Sequence, residues 1–185
     1  MAASNPFDYV GLMNAALAID DPVLMIEHVD LYGQRGEIPE TELDYQIEFG
    51  KARLVREGAD ATVISYLNMV NISNQALDQT GLDADLLDLR FLDRASIDWD
   101  AIEASVKKTN SVIIVEQGVQ GTSYGGWLSD EIQRRYFDYL DQPVQRVHGR
   151  EASPSISKVL ERASIAGLEE VVAGFEKIKE GFGKN

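Results

Sequence analysis

The densest set of glycines in the sequence falls in EQGVQGTSYGGWLSDEI (116–132), where Gly118, Gly121, Gly125 and Gly126 separate an apolar run from a helical pattern. In an open α/β sheet such a strand-to-helix junction points backbone N–H groups and the positive end of a helix dipole outward, a chemistry suited to anions. The stretch has no lysine, and its GxxGxxxGG spacing is not a dinucleotide fingerprint, so tight-turn geometry is its plainer role. His28 and His148 each follow a strand-like run, and a lone histidine at a strand end reads as a hydrogen-bonded structural residue. Ser153 and Ser155 have no histidine-carboxylate arrangement nearby and no GxSxG elbow exists, which argues against a serine hydrolase. Asp83, Asp85 and Asp88, or Asp98, Asp100 and Glu103, have the ligand type for magnesium. Each set nevertheless falls at a strand edge or a helix start, where water or the helix dipole favours acidic residues, and both are read as solvated faces. No catalytic or cofactor-binding residue is assigned.

The elements that would position these residues alternate along the chain. Ser4 and Asn5 are N-cap candidates for a helix over 6–18 with Pro6 at its first position, Asp20-Asp21-Pro22 ends it, and Val23-Leu24-Met25-Ile26 reads as a short buried strand. Residues 27–46 are polar and carry Gly33, Gly36 and Pro39, marking a boundary. Strands then follow at 51–57, 61–66, 84–89, 112–115 and 144–147, with helices at 68–80, 98–108, 125–140 and 167–180. This rhythm predicts an α/β fold of three layers, α/β/α, around a mostly parallel sheet. The tail KEGFGKN is expected to fray.

Charge and composition exclude several classes. A net charge of −14 repels nucleic acid phosphates and anionic lipids and favours a basic protein partner. Zero cysteines exclude disulfides and thiolate zinc sites. With neither a spanning apolar segment nor a signal peptide, a soluble cytoplasmic protein is expected.

Four ordered blocks carry a resemblance: PFDYVGLMNAALAIDDPVLMIEHVDLYG (6–33), GKARLVREGADATVISY (50–66), DLRFLDRASIDWDAIEASVKKTNSVIIVEQG (88–118) and FDYLDQPVQRVHG (137–149). Together they resemble the β subunit of thiamine-diphosphate-dependent 2-oxo acid dehydrogenases, over residues 6–178. The resemblance implies that residues 1–35 are the last helix and strand of a pyrimidine-binding domain plus the start of a linker, 36–46 the linker, and 47–185 a transketolase-like C-terminal domain. It also implies oxidative decarboxylation of a 2-oxo acid, with acyl transfer to lipoyl groups, as the activity of the whole enzyme. Thiamine diphosphate and magnesium would be held by an α subunit and by the part of the pyrimidine-binding domain outside this sequence, so this chain alone would bind neither.

Further expectations follow from the same resemblance. Backbone carbonyls at Ala16, Leu17, Ile19 and Asp21 match a potassium site of some family members, with isoleucine at 19 where aspartate is frequent. The expected partners are an α subunit, a second β subunit and the basic subunit-binding domain of the lipoyl acyltransferase, with Asp130, Glu131, Asp138 and Asp141 as candidate contacts for the last. No nucleic acid and no membrane is expected. The departures FLDRASID and ASPSISKVL leave the 2-oxo acid open. Rival readings are a stand-alone acidic binding module and the C-terminal domain of another transketolase-like enzyme, such as a deoxyxylulose-phosphate synthase.

Overall fold

A computed structural model describes residues 1–151 and 155–182 of the chain, and Ser153 and the last residues of the tail lie outside the described residues. Helix α1 (Pro6–Leu17) starts where the Asn5 side chain accepts the Asp8 N–H at 2.9 Å and Pro6 supplies a pre-set φ. Beyond it come β1 (Arg53–Arg56), β2 (Ala61–Ser65), α2 (Asn68–Thr80), β3 (Ala84–Asp88), α3 (Trp99–Thr109), β4 (Val112–Val119), α4 (Tyr124–Tyr136), β5 (Gln145–Gly149), α5 (Lys158–Ser164) and α6 (Leu168–Lys179). Helix stops follow local chemistry: Gly81 and Asn110 take left-handed φ values of 64° and 56° after α2 and α3.

The strands order as β1-β3-β2-β4-β5, with β3, β2, β4 and β5 parallel and β1 antiparallel at the edge beside β3. Alternation along each strand splits the core in two. Val63, Leu86, Ile113 and Val115 face α2 and α6, where Leu77, Val171 and Phe175 are buried. Ile64, Leu87 and Ile114 face the other way, onto Ile102 and Val106 of α3 and Leu128 and Ile132 of α4. The expected three-layer α/β/α architecture is what forms.

Two readings need correction. The segment 23–26 is not a strand: its one bridge is between Ala2 and Ile26, because no sheet lies beside it, and Leu24 is 76% exposed. Asp85 and Asp88 are buried rather than solvated, since β3 runs second from the sheet's edge with helices over both faces. Asp85 is satisfied there by the Gly58 N–H, Ser105 Oγ and Lys108 Nζ, at 2.9, 2.7 and 2.7 Å. Helix α5 has no counterpart in the sequence reading. Val159 and Leu160 are exposed on it, so it shows no apolar stripe facing a core.

Candidate functional site at the carboxyl edge of the sheet

From β2 the chain crosses to β3 on one side, and later elements build β4 and β5 on the other, so the order reverses between β2 and β4. Open α/β folds bind ligands outside the carboxyl ends of the strands at such a reversal. Here that place is filled from within. Glu116, fully buried in β4, accepts bonds from Tyr66 Oη at 3.0 Å, Ser123 Oγ at 2.6 Å, the Gly125 N–H at 2.8 Å and Arg146 Nη2 at 2.9 Å. Its carboxylate thus occupies the N-terminus of α4, the position an external anion would need. Gly125 is required for this approach, since a Cβ there would stand 2.4 Å from Glu116 Oε1. Gly118 likewise leaves no room for a side chain against Ser123. Arg146 also donates to Ser123 Oγ and the Gln120 carbonyl, which fixes the glycine-rich loop as a clasp. Burial, and then the adjacent Glu116 charge, push the Tyr66 hydroxyl far up, so Tyr66 is a permanent donor.

A second polar network covers the carboxyl end of β3. Asp8 and Asp88 are both fully buried. Arg90 grips Asp8 with two bonds, Nη2 to Oδ1 at 2.5 Å and Nε to Oδ2 at 3.1 Å, and Asn5 donates to the same carboxylate at 2.7 Å. Ser4 Oγ donates to Asp88, and so does the Arg90 backbone N–H at 3.2 Å. Arg53 lies 3.4 Å from Asp88 and 3.5 Å from Asp8; its Nε is not aligned for a hydrogen bond, so the latter contact is Coulombic. Arg90 sits at φ 56°, a conformation L-residues seldom adopt, and this turn presents its fork to α1. Burial, with neighbouring Asp8 as a lesser cause, raises Asp88 from the ordinary 3.8 to about 6 despite the opposing pull of Ser4 and Arg53.

Through this network the segment 1–12 lies across the strand ends. The Ala2 N–H reaches the Arg90 carbonyl at 2.7 Å, and the Asn71 amide reaches the Ser4 carbonyl at 3.0 Å. Ala3, Leu12 and Phe91 are buried together beneath it. His28 joins the same edge, its Nδ1 accepting the Asp30 N–H and its Nε2 bonding to Gln117 Oε1 at 2.6 Å. His148 holds its own neighbour's carbonyl, Gly149 O, at 2.7 Å.

The other sequence-derived residues lie apart from this edge. Ala16 and Leu17 form the last turn of α1, while Ile19 and Asp21 follow it and border a cleft with Phe49 and Phe91. Asp130 and Glu131 face Arg134 and Arg135 of their own helix, Glu131 at 3.0 Å from Arg135 Nε. Asp138 and Asp141 are exposed beyond α4, the Asp141 N–H bonding to the Asn110 carbonyl. Among the described residues no group of three His, Cys, Asp or Glu converges on a possible metal position. Sequence reasoning missed Asp8, Arg53, Arg90, Glu116 and Arg146, and it singled out Asp88 only as part of a solvated face. Only Glu116 carried a signal, an acidic residue abutting a fully apolar run at the start of a glycine-rich loop.

Residues 50–171 match the family model described as "Transketolase, C-terminal domain". The chain is 35% identical over 181 residues to the pyruvate dehydrogenase E1 component subunit beta of Porphyra purpurea, covering 96% of this chain and 54% of that protein. It is 32% identical over 174 residues to the corresponding subunit of Rickettsia felis, covering 92% and 52%. The 2-oxoisovalerate dehydrogenase subunit beta of Pseudomonas aeruginosa gives 32% identity over 194 residues, covering 96% and 54%. The chain therefore spans about half the length of the curated relatives it matches. Its fold is similar to that of a solved structure described as "Split gene transketolase, inactive beta4 tetramer", with a TM-score of 0.56 at 22% identity, covering 78% of this chain and 46% of that one.

Two outcomes follow from the networks. A carboxyl group raised by folding gives stability that is present below its unfolded value and is lost as pH climbs through its folded value, so the Asp88 contribution fades between about pH 4 and about pH 6. Thermal unfolding across that window should show this falling component in the native chain, and Asp88→Asn should flatten it while costing about 1–3 kcal/mol through the lost acceptor; an unchanged pH profile would contradict the assignment. Replacing Glu116 with Gln turns an amide donor toward four donors, and should cost about 3–5 kcal/mol by stranding Arg146. Hydrogen exchange at the Gly125 N–H should then accelerate; protection equal to the parent's would mean the clasp does not depend on Glu116.

Proposed function

The chain belongs to the transketolase C-terminal domain family, and on that premise we propose that it is the C-terminal part of the β subunit of a 2-oxo acid dehydrogenase, acting as an assembly element of the complex in the cytoplasm. One observation carries the reading: the crevice where this fold class takes ligands is closed by Glu116 and its four donors, while the chain's own first residues cover the neighbouring carboxyl end of β3. A domain whose ligand position is internally satisfied is suited to holding subunits together. The likeness to the β subunits of Porphyra purpurea, Rickettsia felis and Pseudomonas aeruginosa supplies the enzyme class.

Thiamine diphosphate does not fit the residues present. Its chemistry needs a diphosphate-metal site and a carboxylate against the pyrimidine ring, whereas every buried carboxylate here, Asp8, Asp85, Asp88 and Glu116, is already held by internal donors. We therefore assign cofactor and magnesium binding to an α subunit and to the remainder of a pyrimidine-binding domain. Residues 1–35 would then close that domain, 36–46 link it, and 47–185 form the assembly domain. A potassium ion on the carbonyls of Ala16, Leu17, Ile19 and Asp21 would belong to the same junction. The apolar side chains left in solvent support contacts with an α subunit and a second β subunit: Leu24 and Val29 beyond α1, Val159 and Leu160 on α5, at 76%, 74%, 77% and 59% exposure. The rival binding-module reading keeps the acidic face of α4 as its support, and the two share a basic acyltransferase domain as partner.

Calorimetry with thiamine diphosphate and magnesium should give no saturable heat for this chain, and adding an α subunit should restore turnover only together with the rest of the pyrimidine-binding domain. Turnover without that part would place chemistry on His28 or His148 and overturn the reading. Because Arg134 and Arg135 already offset Glu131, Glu131→Lys should weaken a basic subunit-binding domain by only about two- to tenfold, with affinity falling as salt rises. Affinity that ignores both changes would remove α4 as the docking face.

A further inference from the structure

Between α1 and the stretch 26–38 lies an open cleft of about 420 Å³, which borders the second polar network only at Asn5. Its walls are apolar, from Pro6, Val10, Ile26, Leu31 and Ile38, and its rim holds Glu27 with Tyr9 and Tyr32. Both tyrosine hydroxyls donate to Glu27, Tyr32 Oη to Oε2 at 2.8 Å and Tyr9 to Oε1, so the two phenols bracket one carboxylate. We propose that this cleft binds a basic side chain, an arginine or lysine carried by a partner segment between apolar neighbours.

Three observations select that occupant. Among the described residues Glu27 is the only acidic one lining the cleft, no lysine or arginine lines it, and Glu27 has no ion-pair partner. Each of its oxygens keeps a lone pair beyond the one a tyrosine uses, which a guanidinium or ammonium can take. The two hydroxyl bonds also lower the Glu27 pKa, so the charge persists at neutral pH. The electron-rich rings of Tyr9 and Tyr32 favour a cation beside them, and the apolar floor accepts the methylene stem. An acidic ligand would meet repulsion here, and a purely apolar one would leave the Glu27 charge uncompensated. The inference stands independently of the enzyme class proposed above, because it rests on the cleft alone.

The test is a titration of the whole chain by two-dimensional NMR with three capped tripeptides, Ac-Leu-Arg-Leu-amide and its counterparts with norleucine or glutamate at the centre. The arginine peptide should cause saturable millimolar shifts at the N–H groups of Tyr9, Glu27, His28 and Tyr32, weaker as salt rises, and the glutamate peptide none. Glu27→Gln should weaken the arginine peptide about tenfold, and an unchanged melting curve for that exposed position would show the fold intact. Tyr32→Phe, which keeps the ring, should weaken it less than Tyr32→Ala. The absence of saturable shifts, equal binding of the norleucine or glutamate peptide, or indifference to Glu27→Gln and to salt would each overturn the proposal.

Discussion

The arrangement rests on two carboxylates, Asp8 and Asp88, that share the cations of Arg53 and Arg90 away from water. Two anions buried side by side could not persist without those cations, and neither arginine could be held beneath α1 without the anions. This mutual dependence joins residues 80 positions apart and fixes α1 against β3, which no local propensity could do. It also explains why Arg90 tolerates a left-handed backbone: the two bonds to Asp8 offset a conformational cost of about 1–3 kcal/mol. Removing one partner strands another, so the network acts as a specificity device more than as a source of net stability.

A similar logic operates on the far side of the reversal. Leu67, between β2 and α2, has φ 52° and ψ −142°, a conformation that glycine would adopt more cheaply. Strain at such a junction is common where a ligand is held, yet here the neighbouring Tyr66 spends its hydroxyl on Glu116. The geometry of a binding crevice is thus retained while its donors are consumed internally. A loop that would cradle a phosphate in another α/β protein has become a brace between β4, α4 and β5.

The sheet was legible because fully apolar runs such as Val112–Val115 admit few readings once helical periodicity brackets them, and α2 and α3 carried their own stop residues at Gly81 and Asn110. The strand at 23–26 failed for the opposite reason: apolar content signals burial, but a strand exists only beside another, and pairing is not a local property. The site was less legible still. Asp8 and Asp88 look like any acidic residue in a chain with 31 of them, and only the topology shows that each lies under a cap of donors. Long-range charge pairing leaves no periodicity to read.

The two halves of the chain differ in how their surfaces are spent. Both faces of the sheet are covered by helices, so residues from β1 onward bury their core without help, whereas the segment 17–32 exposes Leu17, Leu24 and Val29 at 79%, 76% and 74%. That segment reaches the sheet through His28 Nε2 on Gln117 Oε1, whereas the polar edge network and the small cluster of Ala3, Leu12 and Phe91 belong to residues 1–12 before it. Hydrophobic burial scales with the area covered, so the core sets the stability of the domain, and the apolar side chains left in solvent along 17–32 add little to it. The two regions are therefore separable: a change at the exposed Leu24 or Val29 leaves the sheet untouched, and a change at Asp8 loosens the hold of α1 on β3. The carboxyl edge, where an enzyme of the same fold class would keep its ligand, is in this chain the place where residues 1–12 are fastened to the sheet.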